Sequence, residues 1–326
     1  MAELSPAHRA AVQLLAAWMS ERYFRTFRRF DGDPVAFDAL LVQRERRVGV
    51  TVGALWDDAA PVAGAAALAA LLTEDLAGGG GEAGGYAVWV PPGVTLPAGE
   101  PQRSDLRVAL AKALAGLAPG DRREVRLPVT LHLAKLQDDG AYVSVAGGLA
   151  AEWTALSEGV HGAYHLDARA VHRLPDERAE VELIVSRVRD RAAVLRSEEV
   201  TDVPVHDTWS VSRLPAGAAA GVAVVAAPPD LDPLDGAMVR RMLRRHVQRA
   251  AAQRAAAEGA AGPPELTALV VIVAVAHLEQ ELATAALRGM SPAAYGSVDL
   301  ITVAGDGGMR QVLQPRSLPW SEPRAV

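Results

Sequence analysis

Arginines at helical spacing form the clearest chemical pattern in this sequence. The segment from Asp232-Pro233 to about Glu258 is predicted to be a helix, because an acidic N-cap residue followed by proline is typical of a helix start. Its arginines form two adjacent rows at a spacing of four residues. Guanidinium groups in rows can follow phosphates and bind them by releasing counterions. We therefore predict a nucleic-acid contact through Arg240, Arg241, Arg244, Arg245 and Arg249.

The same rows also have a simpler interpretation, a solvated face in an arginine-rich protein. Lys and Arg number 33 together, and only Lys112 and Lys135 are lysines, which leaves 31 arginines, a bias typical of GC-rich bacterial genomes. The net charge of −6 argues against a basic coat over the whole chain but allows a local basic patch. No aromatic residue lies within the arginine run, so stacking on unpaired bases is not expected there.

Other groups of polar residues give weaker evidence for a functional site. Glu158, His161 and His165 would share one face of a predicted helix, Leu149–His172, and could bind zinc or iron there, or be ordinary surface residues. The HExxH pattern is absent, so no metal ligand is assigned. His206–Ser210 contains Ser, His and Asp but the chain has no G-x-S-x-G elbow, so Asp207 and Trp209 are interpreted as structural. The absence of cysteine excludes disulfides, thiolate metal sites and cysteine nucleophiles.

The elements that position these residues predict an α/β or α+β fold, with a mixed sheet and flanking helices. Hairpins are predicted for three pairs of runs: 37–42 with 48–52, 124–136 with 141–146, and 298–303 with 309–313. Single strands are predicted at 86–90, 222–226 and 267–275, with an irregular or extended stretch at 200–214. The other predicted helices are 5–30, 57–77, 105–117, 177–196 and 278–287.

The first 90 residues read helix, strand, strand, helix, strand, and this order resembles the core of the PD-(D/E)xK, or restriction-endonuclease-like, superfamily. The resemblance implies a first acidic residue in the first strand of the hairpin, which Asp38 matches. It implies an acidic-x-Lys triplet in the second strand, where this chain has Thr51-Val52-Gly53. In the family these groups hold Mg²⁺ and activate water for phosphodiester hydrolysis.

The missing triplet argues against catalysis, because a Mg²⁺ site usually needs one or two carboxylates together with substrate oxygens. Asp38 is the catalytic candidate only if other acids complete the site with Mg²⁺. Glu45 is expected in the hairpin turn, and Asp57-Asp58 are expected to cap the next helix. The hairpin also has no lysine beside its acid.

Three functional hypotheses follow. The favoured one is a non-catalytic binding or scaffolding protein on an inactivated nuclease-like core, with DNA or RNA as its partner. The alternatives are a metal-dependent nuclease with a rebuilt site, and a structural protein that binds a protein partner or a second copy. The predicted division is an endonuclease-like core at 1–118, a second α/β part at 119–315 and a loose tail at 316–326. No signal-peptide or membrane-spanning pattern is found, so we expect a cytoplasmic protein.

Overall fold

The computed structural model divides the chain into two compact units. Unit 1 contains Met1–Arg123 and Ser210–Val326, and unit 2 contains Glu124–Trp209. This division differs from the sequence-based one at residue 118, because the chain leaves unit 1 for unit 2 and later returns to it. The structure describes residues 4–32, 34, 36–56, 62–78, 83–229, 231–232, 235–259, 263–273 and 283–320.

The secondary structure is mixed α/β, as the sequence predicts. The helices are α1 (Pro6–Tyr23), α2 (Ala65–Gly78), α3 (Gln102–Leu114), α4 (Trp153–Ser157), α5 (Arg178–Val194), α6 (Gly236–Ala257) and α7 (Pro292–Tyr295). The first strands are β1 (Arg28–Arg29), β2 (Ala39–Gln43), β3 (Arg46–Ala54), β4 (Gly85–Trp89), β5 (Arg122–Gln137) and β6 (Ala141–Gly147). The remaining strands are β7 (Gly162–Ala168), β8 (Val200–Arg213), β9 (Gly221–Val225), β10 (Leu266–Ile272), β11 (Leu300–Gly305) and β12 (Gly308–Leu313).

The first mixed sheet lies in unit 1 and has the strand order β1-β2-β3-β10-β11-β12. The hairpins β2–β3 and β11–β12 are antiparallel, which confirms both predictions, while β3, β10 and β11 run parallel. The parallel strands are buried on both faces, and their sequences are accordingly near-continuous apolar runs. Residues far apart in the chain thus share one sheet.

Helices cover both faces of this sheet. Successive side chains of a strand point to opposite faces. Thr51 and Gly53 of β3 contact α6, whereas Ala54 lines a cavity together with Pro6 of α1. The sheet is therefore enclosed between α1 and α6.

The remaining strands form pairs within each unit. In unit 1, β4 pairs parallel with β9 and antiparallel with Ser210–Arg213 of β8. β4, which the resemblance would place with the β2–β3 hairpin, thus pairs with other strands. In unit 2 the order is β6-β7-β5-β8, and α5 packs its buried stripe into the local core.

Helix α1 starts as predicted but ends earlier. The Ser5 hydroxyl accepts a hydrogen bond from the His8 amide at 3.2 Å, and proline occupies the first turn. The helix ends at Tyr23 because Phe24 takes the left-handed conformation, with φ 49° and ψ 45°. The predicted continuation to Phe30 is wrong, since Arg28–Arg29 form a short strand beside β2.

Two predictions about unit 2 are wrong. The predicted hairpin of 124–136 with 141–146 does not form, because β7 lies between β5 and β6 and pairs with both. The predicted helix Leu149–His172 stops at Ser157 and is followed by a strand, β7. Gly159 and Gly162 have φ of 73° and 114°, in the region that favours glycine and interrupts a helix.

The segment predicted as a loose tail contains packed residues. In the predicted tail, Leu318 is buried and the Trp320 ring packs edge-on against Phe27 with centroids 4.8 Å apart; residues 321–326 lie outside the described residues. Within the described part of the chain, no helix is both long enough and apolar enough to cross a membrane.

Candidate anion-binding surface on helix α6

Helix α6 carries the predicted arginine rows and begins at a side-chain cap. Asp235, not the predicted Asp232, is the N-cap residue, and its carboxylate accepts hydrogen bonds from Ala237 N at 2.9 Å and Met238 N at 3.3 Å. From Gly236 to Ala257 the helix has six arginines and no carboxylate. Its buried stripe follows the helical period and consists of Val239, Leu243, His246, Val247, Ala250 and Ala257.

A buried histidine fixes α6 against the end of β3. His246 Nε2 lies 2.7 Å from the Ala54 carbonyl oxygen, so this nitrogen carries the proton and donates it. The ring packs on Gly53, where a Cβ atom would overlap it. This close approach gives Gly53 a structural role, because any larger side chain would overlap the imidazole.

The first of two paired arginines on α6 holds Asp38. Arg249 Nη2 contacts both carboxylate oxygens of Asp38, at 2.6 Å from Oδ2, and Arg249 Nη1 donates to the Val52 carbonyl at 3.2 Å. The Val52 amide also donates to Asp38 Oδ2 at 2.7 Å, and Gln253 Nε2 donates to Oδ1 at 3.4 Å. Asp38 therefore lies beside β3, at the place where the resemblance expects a metal-binding triplet, but the cation beside it is a guanidinium.

The second paired arginine holds a more deeply buried acid. Arg254 Nη1 donates to Asp299 Oδ2 at 2.9 Å, to Thr267 Oγ1 at 3.3 Å and to the Ser297 carbonyl at 3.2 Å. The Asp299 side chain is only 5% exposed, and its Oδ2 also accepts from the Thr267 amide at 2.9 Å. Arg254 thereby joins the end of α6 to the starts of β10 and β11.

The other four arginines of α6 are exposed. In the part of the chain that the structure describes, the side chains of Arg240, Arg241, Arg244 and Arg245 form no ion pair and no hydrogen bond. Together with Ala237 and Gln248 they line an open depression of about 470 Å³. We call these four residues the α6 arginine surface. Arg249, predicted as a fifth member, is tied to Asp38 instead.

The α6 arginine surface lies beyond one end of the first sheet. His246 contacts Ala54 at the carboxyl end of β3, whereas Arg254 contacts Thr267 near the start of β10, so α6 runs antiparallel to these parallel strands. The helix before His246 therefore extends past the carboxyl ends of β3 and β10. In open α/β sheets this is the edge where ligands commonly bind.

The residues around Asp38 do not suit Mg²⁺. Both carboxylate oxygens accept hydrogen bonds from the Arg249 guanidinium, which occupies the side of Asp38 where a cation would bind. No group of three or more His, Asp or Glu side chains within the described ranges is placed to hold a metal ion. Asp57 and Asp58 lie outside the described residues. No hydrolytic step is therefore derived through Asp38.

The remaining sequence candidates do not form a catalytic group. Glu158 and His161 lie in the connection after α4 and His165 lies on β7, because the helix that would have joined them ends at Ser157. Asp207 is buried and accepts hydrogen bonds from the His172 and Arg173 amides, both at 2.9 Å, and from Trp209 Nε1 at 3.1 Å. Asp207 is thus an acceptor for backbone and indole groups.

Asp299 and Gln253 were not predicted from the sequence, although both help to fix the carboxyl-terminal half of α6 to the first sheet. No local pattern marks either residue, because their partners are more than ten residues away in the chain.

Comparisons of this chain with protein-family models, curated proteins and solved structures find no match.

Proposed function

We propose that this protein is a non-catalytic nucleic-acid-binding protein whose α6 arginine surface contacts phosphates. The observation that carries the proposal is the group of four exposed arginines without a carboxylate partner among the described residues. Arg240 with Arg244, and Arg241 with Arg245, are like charges at a spacing of four, which destabilises a helix. A phosphate ligand would supply the counter-charge that the described residues do not.

The dimensions of the α6 arginine surface also favour a phosphate backbone. From Arg240 to Arg245 the helix advances about 7.5 Å, at about 1.5 Å per residue. Duplex DNA carries one phosphate per about 1.7 Å of its helix axis when both strands are counted, so this length corresponds to about four phosphates, one for each arginine. No aromatic side chain lines the depression, which favours backbone contacts over base reading.

We extend the proposal to the β2–β3 hairpin, as the hairpin of a nuclease-like core without a metal site. It is supported by the position of Asp38 beside Val52 and by the Arg249 guanidinium next to the acid. An arginine can neutralise the carboxylate, but it cannot polarise a phosphodiester bond and generate hydroxide as a bound metal does. A binding role is therefore favoured over hydrolysis.

The test is fluorescence anisotropy of a labelled 20-base-pair duplex over about 50 to 200 mM salt. Four phosphate contacts predict a slope of log affinity against log salt of about −3.6, which is about a hundredfold loss over that range. Arg244→Ala with Arg245→Ala should weaken binding at least about tenfold at low salt and reduce the slope by about two.

The matched control is Arg187→Ala with Arg191→Ala on α5, which removes the same charge from exposed positions of another helix. The control should bind the duplex as the unaltered protein does. An equal loss in both double variants would contradict a specific α6 contact. No binding of the unaltered protein at low salt would overturn the proposal and leave the protein-partner alternative.

A further inference from the structure

A second basic depression lies in unit 1, where α1 ends and β1 and β2 come together. Its volume is about 710 Å³, within the range of ligand pockets. It shares no lining residue with the α6 arginine surface, so an inference drawn from it does not depend on the function proposed above. The residues that matter here are Phe24, Arg25, Thr26, Arg28, Gln43 and Arg44.

Phe24 is the most unusual of these residues. It ends α1 in the left-handed conformation, with φ 49°, where glycine is the usual residue. The residue is nevertheless 88% exposed. The left-handed backbone costs conformational energy, and an exposed ring buries nothing in return. A contact with a ligand would account for keeping an aromatic side chain at this position.

Three arginines surround the exposed ring. Arg25, Arg28 and Arg44 line the depression, and none of them pairs with a carboxylate within the described ranges of the chain. Arg25 Nη1 donates only to the Phe24 carbonyl, at 3.5 Å. The lining residues within the described part of the chain include no carboxylate, so they give the depression a positive charge.

A buried amide adds a hydrogen-bond donor. Gln43 is 8% exposed, and its Oε1 accepts a hydrogen bond from Trp320 Nε1 at 3.1 Å. Its Nε2 donates to no acceptor among the described residues, although the side chain lines the depression. An amide donor held in this way can donate a hydrogen bond to a carbonyl oxygen or ring nitrogen of a ligand.

We propose that this depression binds a nucleotide, with its base stacked on Phe24 and its phosphate held by Arg25, Arg28 and Arg44. An aromatic face beside guanidinium groups is the combination with which proteins bind unpaired nucleotides. A simple anion would use the arginines but leave the Phe24 ring exposed. The nucleotide has two sources, a free nucleoside phosphate or an unpaired residue of a strand.

Phe24→Gly is the decisive variant, because it removes the ring and suits the left-handed backbone. We expect it to lower the affinity for the nucleotide by about tenfold or more, the effect typical of losing one stacked base. Its thermal midpoint should stay equal or rise, whereas loss of a merely structural aromatic would lower it. Phe24→Trp should retain binding, and Arg28→Ala should weaken it.

The probes are AMP and UMP by calorimetry, a labelled 15-residue oligothymidylate by anisotropy, and inorganic phosphate as the anion control. Binding of AMP or UMP identifies free nucleotides as the source, and binding of the oligothymidylate alone identifies a strand. Trp153→Ala, which removes another exposed ring, should change neither. Arg244→Ala with Arg245→Ala should leave AMP and UMP binding intact, which separates this proposal from the α6 surface.

Three outcomes would overturn the nucleotide site. The first is that neither nucleotide nor oligothymidylate binds the unaltered protein. The second is that Phe24→Gly binds every probe as well as the unaltered protein does. The third is that inorganic phosphate binds as tightly as the nucleotide or oligothymidylate that does bind, since the base would then contribute nothing.

Discussion

The two halves of helix α6 use the same residue type in opposite ways. In the carboxyl-terminal half, Arg249 and Arg254 are each tied to an acid of the sheet, Asp38 and Asp299. In the amino-terminal half, the four residues of the α6 arginine surface have no such partner among the described residues. One basic helix therefore combines a structural half, which joins strands, with a half that is left to meet a ligand.

The two halves of α6 differ because they lie against different parts of the first sheet. Asp38 and Asp299 directly precede β2 and β11, and the second half of α6 crosses these positions. The first half extends beyond the ends of β3 and β10, where the described strands offer no carboxylate. Substitutions in the two halves should therefore differ in what they damage, stability in one and binding in the other.

The largest effect is expected from Arg254→Ala. It would leave the Asp299 carboxylate buried, with the Thr267 amide as its one remaining partner among the described residues. Removing one member of a buried ion pair is strongly destabilising, so the free energy of unfolding should fall by about 3 kcal/mol. Urea denaturation measures this value, and Arg241→Ala serves as the matched control. Equal stability of the two variants would contradict the division of α6.

A smaller loss is expected from Arg249→Ala, because Asp38 is more exposed than Asp299 and keeps its contacts with Val52 and Gln253. The free energy of unfolding should fall by about 1.5 kcal/mol, the value for a hydrogen bond to a charged group. A double-mutant cycle with Asp38→Ala isolates the pair and should give a coupling of about 1 kcal/mol. Additive effects would mean that the pair contributes nothing to stability.

The sequence predicted elements formed by neighbouring segments. The β2–β3 hairpin is short-range, and its turn between Gln43 and Arg46 follows from the polar residues there. Helix α6 follows from local sequence signals, and the predicted segment from Asp232-Pro233 to about Glu258 agrees with the observed Gly236–Ala257 to within a few residues. Periodicity needs no knowledge of the partner element, so these predictions were confirmed.

Pairings between distant segments could not be predicted in this way. β5 and β6 are adjacent in the chain, and a hairpin was the local solution, but β7 pairs with both and separates them. In the same way, periodicity grouped Arg249 with Arg240, Arg241, Arg244 and Arg245. Only the register of α6 on the sheet shows that Asp38 reaches Arg249 and none of the others.

The smallest effect on stability is expected from Arg244→Ala with Arg245→Ala. Neither side chain contacts an acid among the described residues, and alanine both favours the helix and removes like-charge pairs at a spacing of four. The free energy of unfolding should stay within about 0.5 kcal/mol of the original or rise. Urea denaturation checks this on the same double variant that is used for duplex binding.

Together, the stability and binding of this variant distinguish the two halves of α6. Unchanged stability with weakened duplex binding is the result expected of a ligand surface. A loss of 2 kcal/mol or more would mean that these arginines also hold the fold, and weaker binding could then reflect a damaged helix. Arg254→Ala should give the reverse, a clear loss of stability with duplex binding retained at temperatures where the variant is folded.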